Sequence, residues 1–150
     1  MNHATSIYHH DYQLWLSNQI TLLQQGAFSD LDVKHLIEEM EDMGISNRRA
    51  LSSHLIILIA HLLKWQFQPE HRSSSWRGSI VEQRVQLEDV LEAAPSLKNL
   101  IPEVMHHIYP KALKIAVTET GMKQDKFPNE MPYTVEQLLN ENYWPSNGVD

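Results

Sequence analysis

The sequence predicts an all-α fold: a single domain over residues 1–150, built as a bundle of five or six helices around a central apolar helix at about 46–67. Three observations carry that expectation. Apolar residues recur at steps of three and four along nearly the whole chain, as they do in amphipathic helices. Gly26, Gly44, Pro69 and Gly121 stand where those runs end, which is where helix stops belong. The run "LIILIAHLL" at 55–63 is apolar on most sides, so other helices must surround it.

In "DYQLWLSNQITLLQQG" the residues Tyr12, Trp15, Leu16, Ile20 and Leu23 fall at helical spacing, and Gly26 ends the first helix. A second is expected after a cap at Ser29 or Asp30, with Val33, Leu36, Ile37 and Met40 facing the core and Met43 with Gly44 closing it. The third, from about Ser46 to Phe67, carries Leu51, Leu55, Leu58, Leu62 and Trp65 in steps of four and three. Pro69 lacks an N–H and pushes Gln68 out of helical conformation, so the helix stops there. Serines at 73 to 75 can cap a fourth helix with Trp76, Ile80, Gln83, Leu87 and Val90 inward. Pro95 and Ser96 open a fifth helical region, bent at Pro102 or Pro110. The segment "MKQDKFPNEMPY" has no period and is expected to run extended, anchored by Phe127 and Tyr133. Thr134 and Gln137 form a capping box for a short last helix, and the tail "WPSNGVD" is expected to fray.

Composition narrows the function classes. Nineteen acidic against twelve basic residues give a formal net charge of -7, which repels phosphate backbones and disfavours nucleic acid as a partner. Without cysteine there is no disulfide and no thiolate chemistry. The opening "MNHATSIYHHDY" has neither the basic region nor the apolar core of a secretion signal, so the cytoplasm is the expected location. The longest apolar run has nine residues, against the roughly twenty that cross a bilayer, so no membrane association is expected.

Three constellations could carry chemistry. In "QPEHRSSSW" the residues Gln68, His71, Arg72, Ser75, Trp76 and Arg77 crowd a helix-to-helix corner. Arg72 could bond the last carbonyls of the third helix and stack on an indole, which would make the corner a scaffold. Pointing outward instead, Arg72 and Arg77 with the N-terminus of the next helix would make an anion site. On the second helix His35, Glu38, Glu39 and Asp42 share one sector. A facing Glu-x-x-His pair is missing, so the sector reads as a solvated face rather than a metal site. Arg49 and His54 in "RALSSH" match the Arg-x4–6-His spacing of HEPN-type metal-independent ribonucleases, where His transfers a proton and Arg steadies the phosphate. Five arginines and nine histidines give about one such spacing by chance, and this pair sits about 140° apart on one helix. No catalytic residue, metal or cofactor is therefore assigned. His61, inside the apolar run, is expected to bond a buried partner.

The runs "LIEEMEDMG", "HLLKWQFQPEHRSSSW", "IVEQR", "PSLK", "ETG" and "FPNEMPYTVEQLL", in this order, resemble the bacterial family called domain of unknown function 29, DUF29. The likeness spans about residues 8 to 145. It implies an all-helical fold and draws attention to Lys64, Trp65, Gln66, Gln68, Pro69, Arg72, Ser75 and Trp76, but brings no catalytic residue or cofactor. The expected function is a non-enzymatic binding or protein-interaction module, with an HEPN-like ribonuclease as the alternative. An unidentified protein or a small anionic ligand is the expected partner, and self-association is left open.

Overall fold

The computed structural model describes residues 3–148 and is all-α, with six α-helices and no strand among the described residues. The chain divides into two compact units, residues 1–46 and 47–150.

The first unit opens with a helix absent from the sequence reading, α1 (His3–His10), followed by α2 (Tyr12–Gln24). Only Asp11 separates them, and its carboxylate caps α2 by accepting the Leu14 N–H at 3.0 Å. Gly26 follows at φ 70°, the left-handed conformation that lets the chain leave the helix. Helix α3 (Val33–Phe67) then begins three residues later than the expected cap, after a 3₁₀ turn at Phe28–Asp30.

Two expectations fail here. The second and third helices are one, because α3 runs through Gly44 without a break. A lone helical glycine costs about 1 kcal/mol against alanine, which is too little to stop a helix when no proline accompanies it. The expected core stripe of its first turns is also largely bare. Val33, Ile37, Met40 and Met43 are 54%, 50%, 60% and 61% exposed, while His35 on the supposedly solvated face is buried. On α2, Trp15 and Gln19 are buried but Ile20 and Leu23 are half exposed. The interior of this unit is aromatic and polar, so apolar periodicity pointed to the wrong side.

In the second unit the remainder of α3 is the centre. Leu51, Leu55, Leu58, Ile59, Leu62 and Leu63 are all fully buried. They share a cluster with Ile80 and Leu87 of α4 (Ser74–Ala93), Ile101, Ala112 and Ala116 of α5 (Ile101–Thr120), and Leu138 of α6 (Val135–Leu139). By length and composition α3 is also apolar enough to cross a bilayer. Its most apolar window is 56% buried, as in the core helix of a folded domain.

Local signals behaved as expected in this unit. Gln68 leaves the helical region before Pro69, Ser73 caps α4 by accepting the Trp76 N–H, and Gly121 ends α5 at φ 70°. A 3₁₀ stretch at Pro95–Leu100 precedes α5, which keeps Pro102 in its first turn and Pro110 inside. Pro110 lies on the exposed side, where solvent can replace the missing helix bond. Phe127 and Tyr133 are buried anchors of the irregular segment, and Thr134 with Gln137 forms the capping box of α6. The tail does not fray as far as Gly148: Pro145 is buried, and the Gly148 N–H donates to the Gln66 carbonyl at 2.7 Å.

Because Leu58 is fully buried at the middle of this cluster, Leu58→Ala is expected to destabilise the protein by about 2 to 5 kcal/mol, the cost of a core cavity. Chemical denaturation measures it, and a loss below about 0.5 kcal/mol would remove α3 from the centre of the second unit.

Candidate functional site

The corner between α3 and α4 is assembled from the end of α3 outward. Trp65 is buried on the core stripe, and the Arg72 guanidinium lies over its ring, 4.8 Å from the centroid. Arg72 Nε donates to the Trp65 carbonyl at 2.9 Å, satisfying one acceptor left unpaired by the helix end. Arg77 stands over Trp65 and Trp144 at 5.1 and 5.2 Å. Lys64, buried at the same end, pairs with Glu119 of α5 and sits 5.1 Å from the centre of the Trp76 ring. Trp76 is thereby a half-buried wall.

The other candidate residues stand apart from that cluster. His71 is exposed and 3.7 Å from Glu70, Ser75 is exposed in the first turn of α4, and Gln68 makes no side-chain cap bond. One cationic atom of the corner lacks a protein partner: Arg72 Nη2, which is buried.

Sequence reasoning missed a second cation. Arg84 is buried on α4, and its three guanidinium nitrogens donate to the carbonyls of Leu138, Tyr143 and Gln137 at 2.9, 2.8 and 3.0 Å. Burial pushes its pKa below the ordinary arginine value, and carbonyl oxygens rather than a carboxylate hold the charge. Its signal was available: Arg84 falls in step with Ile80 and Leu87, and an arginine on a core stripe needs acceptors. Gln66 plays a similar part. Its Nε2 donates to the Gly148 carbonyl, while its Oε1 accepts the Tyr133 hydroxyl at 2.8 Å. Beside Arg84 an open groove of about 790 Å³ is lined by Val81, Val85 and Leu139 with Glu88, Glu92 and Glu141.

The Arg49 and His54 pair is not brought together. Arg49 is exposed, and His54 Nδ1 lies 2.7 Å from Gln83 Oε1. His61 Nδ1 lies 2.8 Å from the Ile57 carbonyl one turn back, and burial lowers its pKa.

In the first unit the His35 sector is structural. Trp15 Nε1 donates to Asp32 Oδ2 at 3.0 Å, and His35 Nδ1 is 2.8 Å from the same oxygen. The Asp32 N–H donates to Gln19 Oε1 at 2.8 Å. Burial raises the Asp32 pKa, but the bonds from His35 and Trp15 outweigh it and leave the group below its ordinary value. The Tyr8 ring stacks on His35, with centroids 4.0 Å apart. Both Glu39 oxygens are occupied, one by the Tyr8 hydroxyl at 2.6 Å and the other by Tyr12 at 2.8 Å. These bonds push Tyr8 up to about 12 and hold Glu39 below the usual carboxylate range. Glu38 and Asp42 are exposed, and among the described residues no three His, Asp or Glu side chains are placed to hold a metal ion.

An all-helical chain with an arginine-on-tryptophan corner behind its central helix is what these observations define. The chain belongs to the family described as domain of unknown function DUF29, whose model it matches over residues 7–144. No curated protein and no solved structure matches it.

Two outcomes follow from this geometry. Arg72→Ala removes a carbonyl partner and an indole contact, and is expected to cost on the order of 1 to 3 kcal/mol. Thermal melts with and without phosphate or sulfate check it. An unchanged melting temperature together with loss of an anion-dependent rise would instead make the corner an anion site. The second outcome concerns pH. Glu39 has a folded pKa below its ordinary 4.5, so its stabilisation is complete above about that pH and is lost as pH falls through the folded value. Glu39→Gln should therefore flatten the acid limb of the stability profile, and an identical limb in the variant would show that the two tyrosine bonds do not persist in solution.

Proposed function

We propose that this DUF29 chain is a non-enzymatic protein-interaction module of the cytoplasm, working through the first unit. The observation that carries the reading is where the bare apolar side chains lie. Ten of the thirteen large apolar residues exposed among the described ones, from Tyr12 to Ile45, belong to residues 1–46. Bare apolar surface concentrated on one part of a chain is the mark of a surface that another molecule covers. The titratable and cationic groups support the same reading, since Arg72, Lys64, Arg84, His54, His35 and Glu39 all bond within the chain. The absence of cysteine supports the compartment.

A second reading, a site for a small anion at the corner, rests on the unpaired Arg72 Nη2 and is decided by the anion melts above. The ribonuclease alternative needs Arg49 and His54 at one phosphate. It has less support, since His54 already bonds Gln83.

Two measurements test the module. Purified protein and the variant Arg49→Ala with His54→Ala should both leave RNA uncut without metal. Cleavage by the parent alone, with helicity kept, would make the protein an enzyme. In dilute solution Ile37→Glu should change the unfolding free energy by less than about 0.5 kcal/mol, as a substitution on open surface does. A loss above about 2 kcal/mol there would place Ile37 inside the monomer and remove the proposed surface.

A further inference from the structure

The bare stripe of α3 has a regular spacing. Val33, Ile37, Met40 and Gly44 follow one another in steps of four, three and four, the seam of a two-helix coiled coil. In heptad terms Ile37 and Gly44 occupy a positions and Val33 and Met40 d positions. The flanks of this seam differ from each other: Leu36 and Met43 lie on the g side, and Lys34 and Glu41, both exposed, on the e side.

That asymmetry selects one geometry. In a parallel pair e faces g of the other helix, which would set the charges of Lys34 and Glu41 against Met43 and Leu36. In an antiparallel pair e faces e and g faces g. Lys34 of each helix then meets Glu41 of the other, and Leu36 meets Met43. The seam fits the same arrangement, with Ile37 against Met40 and the larger Val33 against Gly44, each layer repeated by symmetry. One segment thus supplies both halves of a two-fold contact.

We infer that the partner of the first unit is a second copy of this chain, bound antiparallel along Val33–Gly44 with reciprocal Lys34–Glu41 ion pairs. The inference rests on the module reading and names its partner. Val33, Ile37, Met40 and Met43 are half to three-fifths exposed and leave on the order of 400 Å² bare along this segment, an area that fits a weak, reversible interface. A lipid surface would require neither the heptad step nor the charge complementarity between Lys34 of one copy and Glu41 of the other.

Sedimentation velocity over a roughly thousand-fold range of concentration tests it on the full chain. A reversible dimer is expected, weakened about tenfold or more by Lys34→Glu and by Glu41→Lys, each of which places like charges together twice. The double exchange Lys34→Glu with Glu41→Lys should restore the affinity to within about threefold, a recovery that a merely structural role would not give. Ile37→Glu should leave a helical monomer. A monomer at every concentration overturns the inference, as does a dimer indifferent to Ile37→Glu or not restored by the double exchange. Binding of a monomeric parent to phosphatidylcholine vesicles containing phosphatidylglycerol, lost in Ile37→Glu, also overturns it and assigns the face to lipid. A monomer, or a dimer indifferent to these substitutions, leaves the module reading standing, since that reading fails through RNA cleavage, through the dilute-solution unfolding of Ile37→Glu, or through the vesicle result.

Discussion

The Asp32 carboxylate is buried at the start of α3, and a buried carboxylate that stays ionised must be held by donors. Trp15 and His35 hold it, and the Gln19 side chain accepts the backbone N–H of the same residue. Those three bonds fix which sector of α3 turns inward in the first unit. His35 has to be inside to reach Asp32, and one turn later Glu39 comes within reach of Tyr8 and Tyr12. At 100° per residue Val33, Ile37 and Met40 then lie on the other side. The bare apolar face is therefore the geometric consequence of a polar interior and not a defect of packing.

The second unit closes α5 with a left-handed glycine, Gly121, but meets the carbonyls at the ends of α3 and α6 with cations. Arg72 closes α3, and Arg84 takes carbonyls at the end of α6 and just beyond it. Each guanidinium is planar and offers several donors, so one side chain can satisfy what would otherwise need two or three. Because the acceptors lie up to 59 residues from Arg84 in sequence, the bonds also tie the irregular C-terminal segment to the helical core. The indoles of Trp65 and Trp144 cover the flat faces of these cations. Arg72 and Arg77, which look like part of a reactive cluster in the sequence, are in this way engaged by indoles of the chain itself.

What the sequence made legible followed from local chemistry. The stop at Pro69, the Ser73 cap, the Thr134 capping box and the left-handed glycines at 26 and 121 each depend on a few neighbouring residues, and all were readable. The stripe Leu51, Leu55, Leu58, Leu62 was readable too, because within it apolar and buried coincide. The same rule failed one segment earlier. Val33, Ile37 and Met40 run in phase with that stripe, yet they are bare, since periodicity reports that a face wants cover without reporting what covers it. Arg84 and Gln66 escaped for a different reason: their partners lie 53 to 82 residues away, a separation no local pattern encodes.

Gly44 falls in step with the bare residues Val33, Ile37 and Met40 of α3, and a second copy packed as inferred above would give it a role. Glycine there costs about 1 kcal/mol of helix stability. In return it leaves the seam without a side chain where Val33 of an antiparallel neighbour would need room. An alanine would propagate the helix better and a leucine would extend the stripe. Only the smallest residue keeps a closely approaching helix axis beside a β-branched side chain, so a position that weakens the helix as an isolated element suits it as half of a pair.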